Sequence, residues 1–548
     1  MRKILFMLCL ALSAGTYGQD KVNHNLEVAK QMEIFSSIYR YLDMMYVDTL
    51  NVKDVVESGI RGMLGSLDPY TEYYPPTDRK ELKSMITGKY GGIGAVVTYR
   101  VRDGYCVISE PYYAMPAQEA GLRKGDAILA IDGEDMKGKE LSYVTEHLRG
   151  DAGTSFMLKY QRPGEKKAQT VKITRRTIQT PALPYYGMAN DSVGYINLNQ
   201  FTEDCSKLVR NAVISLKQRG MTALVLDLRS NTGGSLTEAV EILNLFLPKD
   251  MTLVKTRGKL VKANHDYKTT KLPIDTVMPI VTLVGGMTAS ASEITCGTLQ
   301  DLDRGVVLGT KTYGKGLVQT PLDLPYNANL KLTTAHYYIP SGRCVQAIQY
   351  KRGKNEVVAD SLKKEFLTRN GRTVKDGGGI MPDIIVQPDT MPNVVYYLHS
   401  AADSTSTLLD YVVDYVAKHD TIAPARSFVV SDADYEEFKQ RAIAAGFQYD
   451  RESSRFLKQL KEVAKFEGYY ERAKGEFDAL EKKLAHDLAV ELDYHKEAVK
   501  QAITADIVPC YYYQSGTIEN SLQFDKQMNE ALKLLADKER YRAILSKP

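Results

Sequence analysis

The stretch Ile280-Val281-Thr282-Leu283-Val284-Gly285-Gly286-Met287-Thr288-Ala289-Ser290-Ala291-Ser292-Glu293-Ile294 carries the strongest structural signal in the chain. Its first five residues do not alternate between apolar and polar, which is typical of a strand buried on both faces. The two glycines predict a turn, and a helix follows from about Ser292. A serine at such a turn lies beside the free N–H groups of a helix N-terminus, which favour negative charge. Ser290 or Ser292 is therefore either a nucleophile or only the N-cap of the helix.

The same order of strand and helix recurs around this stretch. Ala223-Leu224-Val225-Leu226-Asp227-Leu228 is a second buried strand, and apolar residues from Leu236 to Leu247 follow at helical spacing. Gly305 to Gly309 brackets a third strand. The sequence from about residue 193 to 398 therefore predicts an α/β fold.

A different pattern precedes this α/β region. Two amphipathic helices are predicted over residues 34–45 and 52–64, and short β-branched runs between about 89 and 176 predict a small β-rich domain with one helix, Ser142–Leu148. The five strands predicted there are Ala95–Tyr99, Tyr105–Ser109, Ala127–Ile131, Phe156–Tyr160 and Thr170–Ile173.

The region after about residue 400 is helical and charged. Phe477, Leu480, Leu484, Leu488 and Leu492 predict one long amphipathic helix, and Met528, Ala531, Leu532 and Leu535 predict another. The first apolar stripe must be covered by the same chain or by a second copy, so self-association through these helices is one of two alternatives.

Composition bounds the function. The chain has 548 residues, of which 44% are hydrophobic and 25% charged, so it is long enough for several folded domains and unlike a disordered protein. Lys and Arg number 71 against 67 Asp and Glu, a net charge of +4, which does not point to nucleic acid. The five cysteines after Cys9 are dispersed without a CxxC motif, which favours free thiols over disulfides or zinc. We expect no metal site and no cofactor.

The first residues predict an export signal. Arg2 and Lys3 precede an apolar run from Ile4 to Ala14, and cleavage is expected before Gln19. Because about 18 apolar residues are needed to span a bilayer, this run is too short to be a stable membrane anchor. We expect an exported protein of the periplasm or another extracytoplasmic compartment.

Two further stretches could take part in catalysis. Lys315 lies between two glycines, and no histidine is near it in sequence, so it is a candidate base. A lysine is a base only when neutral, so burial would have to lower its pKa by several units from about 10.4. The alternative is a solvated lysine in a turn. Gly233 and Gly234 follow the strand that ends at Leu228, and their N–H groups could bind an oxyanion, although alone they mark only a turn.

Taken together, five motifs resemble the C-terminal processing peptidases, also called tail-specific proteases. The resemblance covers roughly residues 30 to 395 with the motifs in the expected order. The motifs are Asp68-Pro69-Tyr70-Thr71, Asp227-Leu228-Arg229 with Gly233-Gly234, Ala289-Ser290-Ala291-Ser292-Glu293-Ile294, Thr312-Tyr313-Gly314-Lys315-Gly316 with Gln319, and Gly379-Ile380-Met381-Pro382-Asp383.

The resemblance implies a serine endopeptidase with a Ser/Lys dyad. Its spacing of nucleophile and base selects Ser290 over Ser292 and assigns Lys315 as the general base. It implies that Gln319, one helical turn further on, positions the lysine. It also implies an oxyanion hole formed by the Ala291 amide and a glycine amide of Gly233 or Gly234.

The resemblance also implies a PDZ domain in the β-rich region. Tyr90-Gly91-Gly92-Ile93-Gly94 would bind the C-terminal carboxylate of a substrate tail, so Gly91, Gly92, Ile93 and Gly94 are the candidate contacts. The expected partners are proteins with unstructured C-termini, captured by β-augmentation. A β domain that serves only as a spacer is the alternative.

We therefore predict a multi-domain α/β protein. Its expected parts are a signal peptide (1–18), an N-terminal helical region (19–85), a PDZ domain (86–178), a ClpP/crotonase-like α/β protease core (179–400) and a C-terminal helical region (401–548). Two rivals remain, a catalytically inactive PDZ scaffold or chaperone in the cell envelope and a hydrolase of small acyl or amide substrates. The combination of Ser290, Lys315 and Gln319 argues against the first rival, and the PDZ-like region against the second.

Overall fold

The structure is a computed structural model that describes residues 2–351, 354–400, 405–448, 452–484 and 487–546. It divides into two compact units. The first comprises Met1–Tyr74, Pro321–Leu332 and Tyr350–Lys354, and the second comprises Pro75–Thr320, Thr333–Gln349 and Asn355–Pro548.

The first unit contains α1 (Arg2–Met45), α2 (Val52–Gly65) and β1 (Glu72–Tyr74). Strand β1 pairs antiparallel with residues 329–331, and the preceding turn is closed by the Asp68 carboxylate. The predicted export signal falls in α1, where the side chains of residues 2–23 lie outside the described part. Within the described ranges, no helix is long and apolar enough to cross a membrane.

The second unit begins with α3 (Arg79–Thr87) and continues into the β-rich domain. The elements of this domain are β2 (Lys89–Gly92), β3 (Ala95–Arg100), β4 (Tyr105–Pro111), α4 (Pro116–Glu119), β5 (Ala127–Ile131), β6 (Glu134–Asp135), α5 (Leu141–Leu148), β7 (Ser155–Gln161), β8 (Gln169–Thr174) and β9 (Arg176–Gln179). The main sheet has the order β3-β4-β5-β7-β8, with β6 beside β5, whereas β2 pairs with β9. The five predicted strands and the predicted helix are confirmed to within two residues at each end.

The α/β core follows. Its strands and helices are β10 (Tyr185–Met188), β11 (Val193–Asn197), α6 (Cys205–Gln218), β12 (Ala223–Asp227), α7 (Leu236–Leu243), β13 (Thr252–Gly258), β14 (His265–Lys268), β15 (Ile280–Val284), α8 (Ala291–Asp301), β16 (Val306–Gly309), β17 (Leu317–Asp323), β18 (Asn329–Tyr338), β19 (Ile348–Lys351), β20 (Lys354–Val357), β21 (Glu365–Leu367), β22 (Thr373–Lys375) and β23 (Ile384–Ile385). The central sheet has the order β10-β11-β12-β15-β16-β23 and is parallel except for β10. Strands β12, β15 and β16 are fully buried, as their continuous apolar runs predict.

The central sheet has helices on both faces. Helices α6, α7 and α8 pack on one face through residues such as Val213, Leu243 and Ile294. The other face is covered from the C-terminal region, by Met528, Leu534 and their neighbours. The end of the chain therefore completes the hydrophobic core of the α/β region.

The C-terminal helices are α9 (Asn393–His399), α10 (Thr407–Lys418), α11 (Asp432–Ala444), α12 (Glu452–Phe466), α13 (Lys474–Leu484), α14 (Leu488–Tyr494), α15 (Lys496–Ser521), α16 (Lys526–Ala536) and α17 (Lys538–Leu545). The predicted helix at 528–535 is confirmed as α16. The single long helix predicted over 477–492 is wrong, because a new helix begins after Asp487, whose carboxylate accepts the Ala489 N–H at 2.7 Å as its N-cap. Phe477 and Leu492 are buried within the chain, whereas Leu480 is 43% exposed.

Candidate active site

Ser290 lies at the turn between the buried strand β15 and helix α8. Its backbone has φ 57° and ψ −115°, a left-handed conformation that non-glycine residues adopt only when their surroundings enforce it. An ordinary N-cap residue has extended dihedral angles instead. The turn is fixed by Thr288, whose hydroxyl accepts the Gly285 N–H at 2.9 Å and donates to the Leu228 carbonyl at 2.8 Å. This geometry presents a half-buried serine at the start of a helix.

Glu293 lies one helical turn beyond Ser290 and is fully buried. Its Oε2 accepts the backbone N–H groups of Ser290 at 2.9 Å and Lys315 at 2.8 Å, and its Oε1 accepts the Thr312 hydroxyl at 2.6 Å and the Gly314 N–H at 2.8 Å. Burial raises the pKa of Glu293 to about 7, and the hydrogen bonds from these donors offset part of that rise. Glu293 therefore ties the serine turn to the lysine loop.

Lys315 is half-buried in the loop that follows β16. The loop is held on its other side as well, because the Gly316 N–H donates to Gln346 Oε1 at 2.7 Å and the Gly314 carbonyl accepts the Ala347 N–H at 2.9 Å. A Cβ atom at Gly314 would lie 2.4 Å from the Ala347 Cβ, and φ is +90° there. Glycine is therefore required beside the lysine for this close packing.

Gln319 lies on β17, and its Nε2 donates to Thr333 Oγ1 at 3.2 Å. The expectation that it lies one helical turn beyond Lys315 is wrong, because residues 317–323 form a strand paired with β18. Four extended residues span about 13 Å, compared with about 6 Å in a helix. A positioning role for Gln319 stays a prediction.

The two glycines proposed for the oxyanion hole have different surroundings. A Cβ atom at Gly233 would lie 2.8 Å from the Ser290 Cβ and 3.1 Å from the Ala291 nitrogen, so this backbone packs directly on the serine turn. A Cβ at Gly234 would lie 2.4 Å from the Phe201 carbonyl oxygen instead. The Gly233 N–H donates to Asn231 Oδ1 at 2.9 Å. Gly233 is thus beside the serine, but its amide already has an acceptor.

Asn231 and Ser292 connect the turn that contains Gly233 to the turn that contains Ser290. Both side chains are buried, and Ser292 donates its hydroxyl to the Asn231 carbonyl at 2.9 Å. That carbonyl also accepts the Ala289 N–H at 3.1 Å, and Asn231 Nδ2 donates to the Leu198 carbonyl at 2.8 Å. The role of Ser292 here is structural, which supports the choice of Ser290 as nucleophile. Sequence reasoning missed the roles of Asn231 and Glu293, although both lie inside the motifs.

The residues proposed to bind a substrate tail lie between two ladders of the β-rich domain. Gly91 and Gly92 pair with Thr177 and Arg176 on β9, so this stretch of backbone is already part of a strand pair within the protein. Ile93 is buried, and Gly94, with φ +71°, turns the chain into β3. Of the four, the Ile93–Gly94 turn is the part that leads onto an edge strand.

Strand β3 is the terminal strand of its sheet, and α5 packs beside it. β-augmentation adds an extended peptide to the edge of a sheet, and β3 lies at such an edge. The loop after α5 adds a cation that sequence reasoning missed, since the Arg149 guanidinium lies 5.0 Å from the centre of the Tyr90 ring. The described ranges contain no cluster of three or more acidic, His or Cys side chains able to hold a metal ion.

Comparison with known proteins assigns three regions of the chain. Residues 192–353 match peptidase family S41, residues 107–162 match a PDZ domain, and residues 398–535 match the C-terminal helical domain of probable PDZ-proteases. The carboxy-terminal-processing protease of Bartonella bacilliformis is 34% identical over 356 residues, which are 64% of this chain and 81% of that protein.

The carboxy-terminal processing protease CtpB of Bacillus subtilis is 32% identical over 335 residues, which are 60% of this chain and 68% of that protein. Among solved structures, a photosystem II D1 C-terminal processing protease matches with 26% identity and a TM-score of 0.37. That match covers 66% of this chain and 94% of the other.

Proposed function

The chain belongs to peptidase family S41 and is a carboxy-terminal processing serine protease with a PDZ domain, and from this premise we propose how it works. Ser290 is the nucleophile and Lys315 the general base of an endopeptidase that captures protein C-termini and cleaves upstream of them. The observation that carries this assignment is the shared acceptor, since Glu293 Oε2 receives the backbone N–H groups of both residues.

The chemistry follows from these positions. Neutral Lys315 accepts the Ser290 Oγ proton as the oxygen attacks the scissile carbonyl carbon. The oxyanion forms at the N-terminus of α8, where the Ala291 N–H and a glycine N–H of the Gly233-Gly234 pair stabilise it. The lysine then gives its proton to the leaving amine as the C–N bond breaks. Water, deprotonated by the same lysine, then attacks the acyl carbon, and the lysine returns that proton to Ser290 Oγ as the bond between the acyl carbon and Oγ breaks.

Because the Gly233 N–H donates to Asn231 Oδ1, the glycine donor has two candidates. Either Gly234 supplies it, or the Asn231 hydrogen bond breaks when substrate binds. Hydrogen bonds of a free active site are often rearranged when substrate binds, so either amide can donate to the oxyanion.

Substrate capture is assigned to the β-rich domain. A peptide added to the free edge of β3 would place its C-terminal carboxylate at the Ile93–Gly94 turn, close to the Tyr90 and Arg149 pair. A cation at the end of the groove complements the carboxylate. Only tails without folded structure could add as a strand, so unstructured C-termini are the proposed substrates.

Export is proposed from the N-terminal sequence. Arg2 and Lys3 before the apolar run Ile4–Ala14 support a cleaved signal and a periplasmic or otherwise extracytoplasmic location. Amino-terminal sequencing of the protein recovered from the cell envelope would test this. Cleavage before Gln19 is the expected result, and an intact Met1 on all recovered protein would contradict it.

The catalytic assignment is tested with an unstructured protein incubated with each variant and followed by mass spectrometry. Wild type and Ser292→Thr, which keeps a hydroxyl, should produce fragments, whereas Ser290→Ala and Lys315→Ala should produce none while remaining folded. A substrate with an amidated C-terminus should be cleaved less than the same substrate with a free carboxylate. No cleavage by the wild type would favour the inactive scaffold, and cleavage by Ser290→Ala would move the nucleophile elsewhere.

A further inference from the structure

The hairpin formed by β13 and β14 concentrates positive charge. Residues 252–268 contain five basic side chains and one acidic one, a formal charge of +4 that equals the net charge of the whole chain. The six are Lys255, Arg257, Lys259, Lys262, Lys268 and Asp266, and all are exposed. Asp266 is engaged by Arg257, whose Nη2 lies 2.6 Å from its Oδ1. The four lysines therefore dominate the potential around the hairpin.

The tip of this hairpin is apolar. Leu260 is 57% exposed and Val261 is 85% exposed, and Lys259 and Lys262 flank them directly. Single exposed apolar residues are common on proteins, but Leu260 and Val261 are adjacent and lie between two lysines in the turn of a hairpin. Neither side chain contributes to a hydrophobic core of the protein.

The tip is nevertheless an ordered structure. The Thr256 hydroxyl donates to the Ala263 carbonyl at 2.7 Å, and the Gly258 N–H donates to Asn264 Oδ1 at 2.8 Å. A ring nitrogen of His265 lies 2.8 Å from the Lys262 carbonyl oxygen. These bonds fix the turn from both strands, so the apolar pair is presented at a defined position at no further ordering cost.

We propose that the β13–β14 hairpin is a docking site for the surface of an anionic phospholipid bilayer. Leu260 and Val261 would enter the boundary between headgroups and acyl chains, and the lysines would lie against the phosphates. An acidic protein segment is the competing occupant. Segments that bind the surface of a bilayer combine exposed apolar side chains with flanking lysines, which is the pattern of Leu260 and Val261 between Lys259 and Lys262.

Protection of a sheet edge explains only part of this pattern. Lysines on an edge strand such as β14 discourage pairing with other chains, and Lys268 fits that role. It does not explain Lys259 and Lys262, which lie in the turn outside the ladder, nor the apolar side chains between them.

The hairpin is paired with β18, the strand that contacts the candidate active site. Gly258 pairs with Ala335 on β18, and two residues further along β18 the Tyr337 hydroxyl donates to the Ser290 carbonyl at 3.3 Å. Two residues of strand span about 7 Å. Docking would hold the active site close to the bilayer and favour cleavage of tails of membrane-attached proteins. This consequence rests on the proposed function. The binding of lipid by the hairpin does not.

The test is vesicle sedimentation with the mature chain, which begins at Gln19 and carries Ser290→Ala, so that its outcome is independent of the apolar leader and of proteolysis. One set of vesicles contains equal parts of phosphatidylglycerol and phosphatidylcholine, and the other only phosphatidylcholine. Lys259→Gln/Lys262→Gln should bind the anionic vesicles about thirtyfold more weakly, whereas Lys259→Arg/Lys262→Arg should bind normally. Leu260→Ser/Val261→Ser should weaken binding about tenfold at unchanged charge.

Matched controls lie elsewhere on the surface. Lys166→Gln/Lys167→Gln removes two exposed lysines from another loop, and Val277→Ser removes a side chain that is 86% exposed. Both should bind as the parent does. Equal binding to the two kinds of vesicle, or binding that the hairpin variants leave unchanged, would overturn the proposal. The hairpin variants are also made in the active protein, with Ser290 in place, and tested for cleavage of a soluble acidic protein. If they change this cleavage but not vesicle binding, the hairpin binds acidic peptide and the proposal is overturned.

Discussion

Thr312 donates its hydroxyl to Glu293 Oε1 over 2.6 Å, and both side chains are buried. The same oxygen accepts the Gly314 N–H, and Oε2 accepts those of Ser290 and Lys315. Each carboxylate oxygen therefore faces two donors. Glutamine has the same shape but turns one of these oxygens into a donor, which would face donors and lose its hydrogen bonds.

Glu293→Gln should therefore lower kcat about a hundredfold, because small displacements of Ser290 and Lys315 are costly to the reaction. KM for a tail peptide should change little, since Glu293 does not lie in the PDZ domain. The measurement is steady-state cleavage of a fluorogenic peptide, with the exposed Glu203→Gln as control. Full activity of Glu293→Gln would show that the shared acceptor does not align the dyad.

The pKa of Glu293 predicts a pH dependence of stability. Burial raises that pKa to about 7 from an ordinary value of 4.5, so the native state binds this proton more tightly than the unfolded state. The resulting stabilisation is complete below about pH 4.5 and is lost as the pH rises to about 7. Urea unfolding between pH 5 and pH 8 should show this loss in wild type and less of it in Glu293→Gln. Parallel pH profiles of the two proteins would contradict the prediction.

Activity should show the opposite pH dependence to stability and increase as the pH rises. Glu293 accepts all four hydrogen bonds only as a carboxylate, and Lys315 accepts a proton only as the neutral amine, so kcat should rise with pH from both ionisations. Lys315→Arg should lose turnover at every pH, because guanidinium does not deprotonate. Lys311→Arg, at an exposed position in the same loop, is the matched control. Turnover by Lys315→Arg near that of wild type would place the base elsewhere.

Gly233 and Gly286 offer a comparison within one site. A Cβ at Gly233 would lie 2.8 Å from both the Ala289 carbonyl oxygen and the Ser290 Cβ, and its φ of +105° disfavours alanine. Nothing lies within 4 Å of a Cβ at Gly286 in the serine turn. Gly233→Ala should abolish labelling by a serine-reactive probe and lower stability, whereas Gly286→Ala should label normally. Equal labelling would remove Gly233 from the site.

These cases show what the sequence could and could not predict. Buried strands such as β12 and β15 were predictable because their apolar runs are fixed by burial on both faces. Glu293 was not, because a glutamate in the first turn of a helix is ordinarily a solvated charge beside the helix dipole. Its role depends on the Lys315 loop, more than twenty residues away, which only the fold brings to it.

The C-terminal helices show a second limit of prediction from the sequence. The apolar stripe of α16 was visible at helical spacing, but a stripe does not identify the surface that covers it. In the fold, Leu534 and its neighbours pack against Val225 and Leu283 of the central sheet. A prediction that separates the C-terminal helices from the protease core therefore misses this contribution to the core.

Removal of one α16 side chain should therefore destabilise the protease core. Leu534 is fully buried, so Leu534→Ala should lower the free energy of unfolding by about 2 to 5 kcal/mol, the range for a leucine cavity. Leu480→Ala, at a position 43% exposed on α13, should cost less than about 1 kcal/mol. Urea unfolding followed by the circular dichroism of the chain measures both. If Leu534→Ala unfolded no more easily than Leu480→Ala, α16 would not contribute to the core. The packing of Leu534 on the sheet also predicts that a chain truncated after residue 400 aggregates. A soluble truncated chain would contradict this prediction.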